Sequence, residues 1–127
     1  MFNKELQMYY ASIRRSLNLS QAELSILFGV PIGSIRNWEQ GSREPDSAAI
    51  TLYKMVVDKD QDVLVPMATI ACQKKYTDLK DIGTLKKMII KIVKNDLLRS
   101  LLEVVILKSN PQWTPQELGF RVTEIRF

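Results

Sequence analysis

The stretch LSQAELSILFGVPIGSIRNWEQG, residues 19–41, decides how the chain folds. Ser20-Gln21-Ala22-Glu23 is a capping box, in which the Ser20 hydroxyl accepts from the Glu23 amide and the Glu23 carboxylate reaches back to the Ser20 amide. A helix therefore starts there and runs to about Phe28, with Leu24, Leu27 and Phe28 on its inner face. Gly29 ends it, because a sharp turn needs the left-handed backbone that glycine adopts without strain. A second helix is predicted from about Ile32 to Gln40, stopped by Gly41.

Two short helices joined by a tight glycine turn make a helix-turn-helix. That geometry needs a small residue where the helices cross and apolar residues to lock them. Ser25 meets the first demand, and Leu24, Phe28, Val30, Ile35 and Trp38 meet the second. Ser25, Gly29 and Ile35 have the mutual spacing of crossing helices.

Outward from this centre, Leu6, Tyr9, Tyr10, Ile13 and Leu17 recur at helical spacing and predict a helix over about 4–17. Pro45-Asp46 opens another, with Ala48, Ala49, Leu52 and Val56 as its buried stripe. Asp58-Lys59-Asp60-Gln61-Asp62 reads as a polar hinge, dividing residues 1–60 from 61–127. Pro66 is expected to break any helix spanning 61–75. From Thr84 the pattern is helical again through Leu85, Met88, Ile89, Ile92 and Val93. Asn95 can cap a further helix holding Leu97, Leu98, Leu101, Leu102 and Val105, apolar on most sides and so expected to be thoroughly buried. Residues 111–115 form a turn, and Phe120–Phe127 reads as a short edge strand or a last helical turn. The expected fold class is all-α: a bundle of four to five helices, then a helical C-terminal dimerisation region with a possible C-terminal strand.

The 127 residues carry 46% hydrophobic and 25% charged side chains, enough to build a core. The net charge is +4. It is not concentrated in the first half: residues 1–57 hold six Lys and Arg against five acids. Partners of that half must be met by local placement of donors and not by a bulk field. There is no histidine, which removes the commonest general base and metal ligand, and a single cysteine cannot build a Cys/His zinc site. Asp58, Asp60 and Asp62 resemble part of a calcium loop, but the required Gly and terminal Glu do not follow. With no phosphate-binding glycine loop either, no catalytic residue, metal or cofactor is expected, and the chain reads as a non-enzyme. Cys72 cannot form an internal disulfide and reads as a core residue before a redox sensor. Met1-Phe2-Asn3-Lys4-Glu5 lacks the order of a signal peptide, and no apolar run approaches a membrane span, so a cytoplasmic protein is expected.

Residues 13–46, from Ile13 through Leu19-Ser20-Gln21-Ala22-Glu23-Leu24, Gly29-Val30 and Asn37-Trp38-Glu39-Gln40-Gly41 to Pro45, resemble the Cro/phage-repressor (xenobiotic-response-element) family. The Trp-Glu-Gln-Gly…Pro form is especially similar to its antitoxin and small autoregulator members. The resemblance covers about residues 5–57 and implies a reader of double-stranded DNA. Gln21 then contacts a phosphate at the start of its helix, where the helix N-terminus also favours an anion. Ile32, Gly33, Ser34 and Asn37 fall where the family meets base edges, and Arg36 is the long donor beside them. Gln40, Ser42 and Arg43 fall where it holds the backbone. Arg14 and Glu39 occupy the positions of a partly buried ion pair. Pro31 departs from the pattern, standing where a Ser or Thr cap is usual, and Ile32 and Gly33 replace polar readers. Ile32 can touch a thymine methyl, whereas Gly33 reads nothing by side chain, so DNA shape must supply more of the specificity.

The resemblance implies a homodimeric transcriptional regulator, a repressor or autorepressor, on an inverted repeat. The alternative is an antitoxin whose residues 60–127 neutralise a toxin protein. Lys87, Lys91 and Lys94, with Lys80 and Lys86 nearby, form a helix face that is either an ordinary wet surface or a further contact with DNA backbone or an acidic partner.

Overall fold

The computed structural model describes residues 4–120, and these are all helical apart from their connections. Eight helices follow in order: α1 (Lys4–Ser16), α2 (Gln21–Phe28), α3 (Ile32–Gln40), α4 (Ser47–Val56), α5 (Gln61–Cys72), α6 (Leu79–Ile92), α7 (Asp96–Ser109) and α8 (Pro115–Leu118). The all-α class is as expected, with no strand among the described residues. An edge strand beyond Phe120 would lie outside them. No described helix is long and apolar enough to cross a membrane.

Local chemistry explains the boundaries. The Ser20 capping box is fully formed: Ser20 Oγ accepts from the Glu23 amide at 3.1 Å and Glu23 Oε1 accepts from the Ser20 amide at 2.7 Å. Gly29 closes α2 in the left-handed region at φ 69°. Asp46, Asp60, Asp78, Asn95 and Thr114 each place a side-chain oxygen on an amide at the start of the helix that follows.

α5 corrects one expectation. Pro66 does not break the helix; it lies inside an unbroken α5. Its ring is exposed, as is Asp62, whose carbonyl would have accepted the missing N–H. On that wet face water can hydrate the carbonyl, while Leu64, Met67, Ala68, Ala71 and Cys72 stay buried on the opposite side. Burial of each large apolar side chain gains roughly 1.5–3 kcal/mol, and several together exceed the ~3 kcal/mol cost of an internal proline.

The core is continuous across residue 60. Val56 at the end of α4 and Leu64 in α5 belong to one cluster that also contains Leu24, Ile35, Tyr53, Leu85 and Met88. α6 packs chiefly on α2, and α5 bridges α2, α6 and α7. At the centre Tyr53 meets the rings of Tyr10, Phe28 and Trp38 at 4.6, 5.0 and 6.1 Å between centroids. Its buried hydroxyl has no hydrogen-bond partner among the described residues. Cys72 is fully buried in the same core, which pushes its thiol up to about 12 and makes it chemically inert at neutral pH.

α7 departs from the expectation of burial on most sides. Leu102, Val104 and Ile106 are buried, but Leu97 is 68% and Leu101 45% exposed. α7 packs chiefly on α5 and α6, and Leu97, Leu98 and Leu101 on its outer face stay exposed.

A half-buried ion pair joins the first half to the second. Lys91 Nζ on α6 donates to Glu23 Oε1 at 2.7 Å, and Glu23 is only 3% exposed. Burial pushes the Glu23 carboxyl up, but its bonds from Lys91 and Ser20 outweigh that and hold it below the ordinary carboxylate value. Lys91 is thus taken out of the wet lysine face.

Candidate nucleic-acid interface

α3 exposes one side and buries the other. Ile35 and Trp38 face the core, while Gly33, Arg36 and Gln40 are exposed and Ile32, Ser34 and Asn37 are half-buried. α1 and α2 pack behind it. Ser42 and Arg43 are exposed just beyond its end. They are brought back onto it because the Asn37 carbonyl accepts from the amides of Gly41, Ser42 and Arg43, with Gly41 left-handed at φ 80°. At the other end Pro31 occupies the N-cap with an extended backbone and provides no side-chain cap.

The C-terminal end of α3 is tied down by charge. Arg14 grips Glu39 with two bonds, Nε to Oε2 at 2.8 Å and Nη2 to Oε1 at 2.9 Å, and its Nη1 donates to the Leu19 carbonyl at 2.9 Å. Gln21 Nε2 also donates to Glu39 Oε1, at 3.3 Å. The bond to Glu39 raises the Arg14 pKa further, outweighing the opposing effect of burial. Glu39 is therefore neutralised and turned inward, and the other α3 side chains carry no acid. Gln21, Gln40, Ser42 and Arg43 gather around this end.

The N-terminal end faces a different neighbourhood. Ile32 and Arg36 line an open cleft of about 580 Å³ whose far wall is the α5–α6 connection and the first turns of α6. Lys74, Lys80, Asp78 and Asp81 line that wall. Asp78 Oδ1 is occupied with the Lys80 amide at 2.9 Å as the cap of α6. Lys74 reaches over the α2–α3 turn: a Cβ added at Gly29 would meet its Nζ at 2.6 Å.

The sequence groups Lys87, Lys91 and Lys94 on one face, with Lys80 and Lys86 near it, and does not single out Lys74. Helical spacing groups the former, but only the path of the 73–78 connection brings Lys74 to the turn. Among the described residues no cluster of three or more Cys, Asp or Glu is arranged to hold a metal ion.

Compared with models of protein families, with curated proteins and with solved structures, the chain finds no match.

Proposed function

We propose that the protein is a sequence-specific DNA-binding regulator, a repressor that sets α3 into the major groove of an inverted-repeat operator as a homodimer. The observation that carries the reading is the two-sidedness of α3: Ile35 and Trp38 lock it to the core while Arg36, Gly33 and Gln40 face solvent. A groove ~12 Å wide admits such a helix. Arg36 and Asn37 act as the principal base readers, with Ser34 and Ile32 beside them. Gln21, Gln40, Ser42 and Arg43 hold the backbone.

Selection of bound duplexes from a random pool, followed by a gel shift with DNA upstream of the chain's own gene, tests the reading. An inverted repeat should emerge. Arg36→Ala should then weaken binding to the enriched duplex by ~1–3 kcal/mol at matched salt, and relax the preference at one position. No enrichment over random DNA would refute the function, and unchanged affinity would remove Arg36 from it.

The dimer surface in this reading is the outer face of α7, where Leu97, Leu98 and Leu101 are exposed and Leu98 shares a cleft with Val65 and Pro66. Leu97→Asp with Leu101→Asp should convert the dimer to monomers in sedimentation and weaken operator binding. A double variant that still sediments as a dimer would place the interface elsewhere. The same apolar face supports the antitoxin alternative, in which a toxin covers it. A native chain that is monomeric alone and co-purifies with its toxin would favour that reading.

A further inference from the structure

We propose that Lys74 and Lys80 hold a second phosphate strand, so that the connection between α5 and α6 extends the DNA footprint beyond the helix-turn-helix. The inference rests on the DNA-reading proposal above. A helix lying in the major groove has a sugar–phosphate strand on each side. Gln21, Gln40, Ser42 and Arg43 all lie around the C-terminal end of α3 and serve one strand. Near the N-terminal end the cations beside Arg36 come from the second half of the chain, across the cleft.

Lys74 is not a lysine on a loose loop. Asn110, at 0% exposure, donates through Nδ2 to the Lys74 carbonyl at 3.1 Å and to the Ile106 carbonyl at 2.9 Å, and accepts from the Tyr76 amide at 2.6 Å. The Tyr76 hydroxyl donates to the Ala71 carbonyl at 2.6 Å, and Gln112 Nε2 donates to the Tyr76 carbonyl at 2.9 Å. The backbone that carries Lys74 is thus fixed before DNA arrives, which lowers the ordering cost of the contact. The described ion pairs are Arg14–Glu39, Lys91–Glu23 and Arg99–Asp96, and none of them uses Arg36, Lys74 or Lys80. These three cations outnumber Asp78 and Asp81 in the cleft, and Asp78 is directed at the start of α6. An ammonium near the end of α2 would also favour the helix dipole. That role predicts lost stability on removal, not a changed response to salt.

The test uses the full chain and a mixed-sequence 30-base-pair DNA duplex, with affinity measured by fluorescence anisotropy across a range of NaCl. The slope of log affinity against log salt falls by ~0.9 for each phosphate contact removed. Lys74→Gln with Lys80→Gln should reduce the slope by about 1.8 and leave the melting temperature in place. The charge-matched control, Lys54→Gln with Lys59→Gln on α4 and the turn after it, should leave the slope as in the wild type. Equal slopes for the two double variants, or a lowered melting temperature with an unmoved slope, would overturn the inference. If the enriched operator still depends on Arg36 in that case, the DNA-reading proposal survives alone. If the wild-type chain binds no duplex, both fall.

Discussion

Replacing Glu39 with alanine is expected to cost the fold about 3 kcal/mol, as breaking a buried ion pair from one side does. Glu39 is 7% exposed at its side chain and Arg14 13%. Without the carboxylate, the Arg14 guanidinium keeps only the Leu19 carbonyl among its described hydrogen bonds, and Gln21 Nε2 loses Glu39 Oε1. The damage comes from stranding a desolvated cation and not from losing Coulomb energy in water. The double replacement Arg14→Met with Glu39→Leu should therefore recover most of the loss, since apolar side chains of similar size can replace a buried pair at little cost. Urea and thermal unfolding of the wild type, the single variant and the double variant would check this. For a chain of this size the single variant should melt roughly 10 °C lower. A loss below about 1 kcal/mol would mean that the pair is well hydrated and contributes little.

Asn110→Ala is the second large effect, at about 3 kcal/mol. Its fully buried amide serves three backbone groups: the Lys74 and Ile106 carbonyls and the Tyr76 amide. Leaving even one buried polar group without a partner costs ~1–3 kcal/mol, and the truncation adds a cavity. The loss should be local as well as global. Exchange of the Tyr76 amide hydrogen should accelerate well beyond that of the α6 core, because the 73–78 connection loses its anchor. A variant that melts with the wild type, with Tyr76 still protected, would show that the connection is held by other contacts.

The parts of the fold written in neighbouring residues were legible. The Ser20–Glu23 box and Gly29 and Gly41 bounded α2 and α3 because capping and left-handed turns are decided within four residues. The inward residues of α3, Ile35 and Trp38, followed from the packing demands of a helix-turn-helix, and its outward residues from the family resemblance. What was missed depends on distance along the chain or on water. The α4 stripe was read as Ala48, Ala49, Leu52 and Val56, yet Ala48 is exposed and Tyr53 is the centre of the aromatic core. The spacing 49–53–56 carried that signal, but a hydroxyl-bearing ring was passed over. Pro66 was judged by the hydrogen bond it lacks, without knowing that Pro66 and Asp62 lie on the exposed face of the helix. Lys91 looked like one more surface lysine, since its partner Glu23 is 68 residues away. Asn110 serves Lys74 and Tyr76 from more than 30 residues off, beyond the reach of periodicity. Of the proposed site, the α3 residues came from the family resemblance, and Lys74 had no local signal.

The unbroken packing from α2 through α6 and α5 to α7 has a consequence for what such a dimer could read. A pair of heads joined by slack tethers straddles half-sites at many separations. Here nothing slack lies between the face proposed to clasp a twin and the helix proposed to enter DNA. Such an assembly would act as a caliper locked at one opening. Its operator would then be defined by spacing as strictly as by base identity, since shifting one half-site by about half a turn, roughly five base pairs, would carry it to the far side of the duplex.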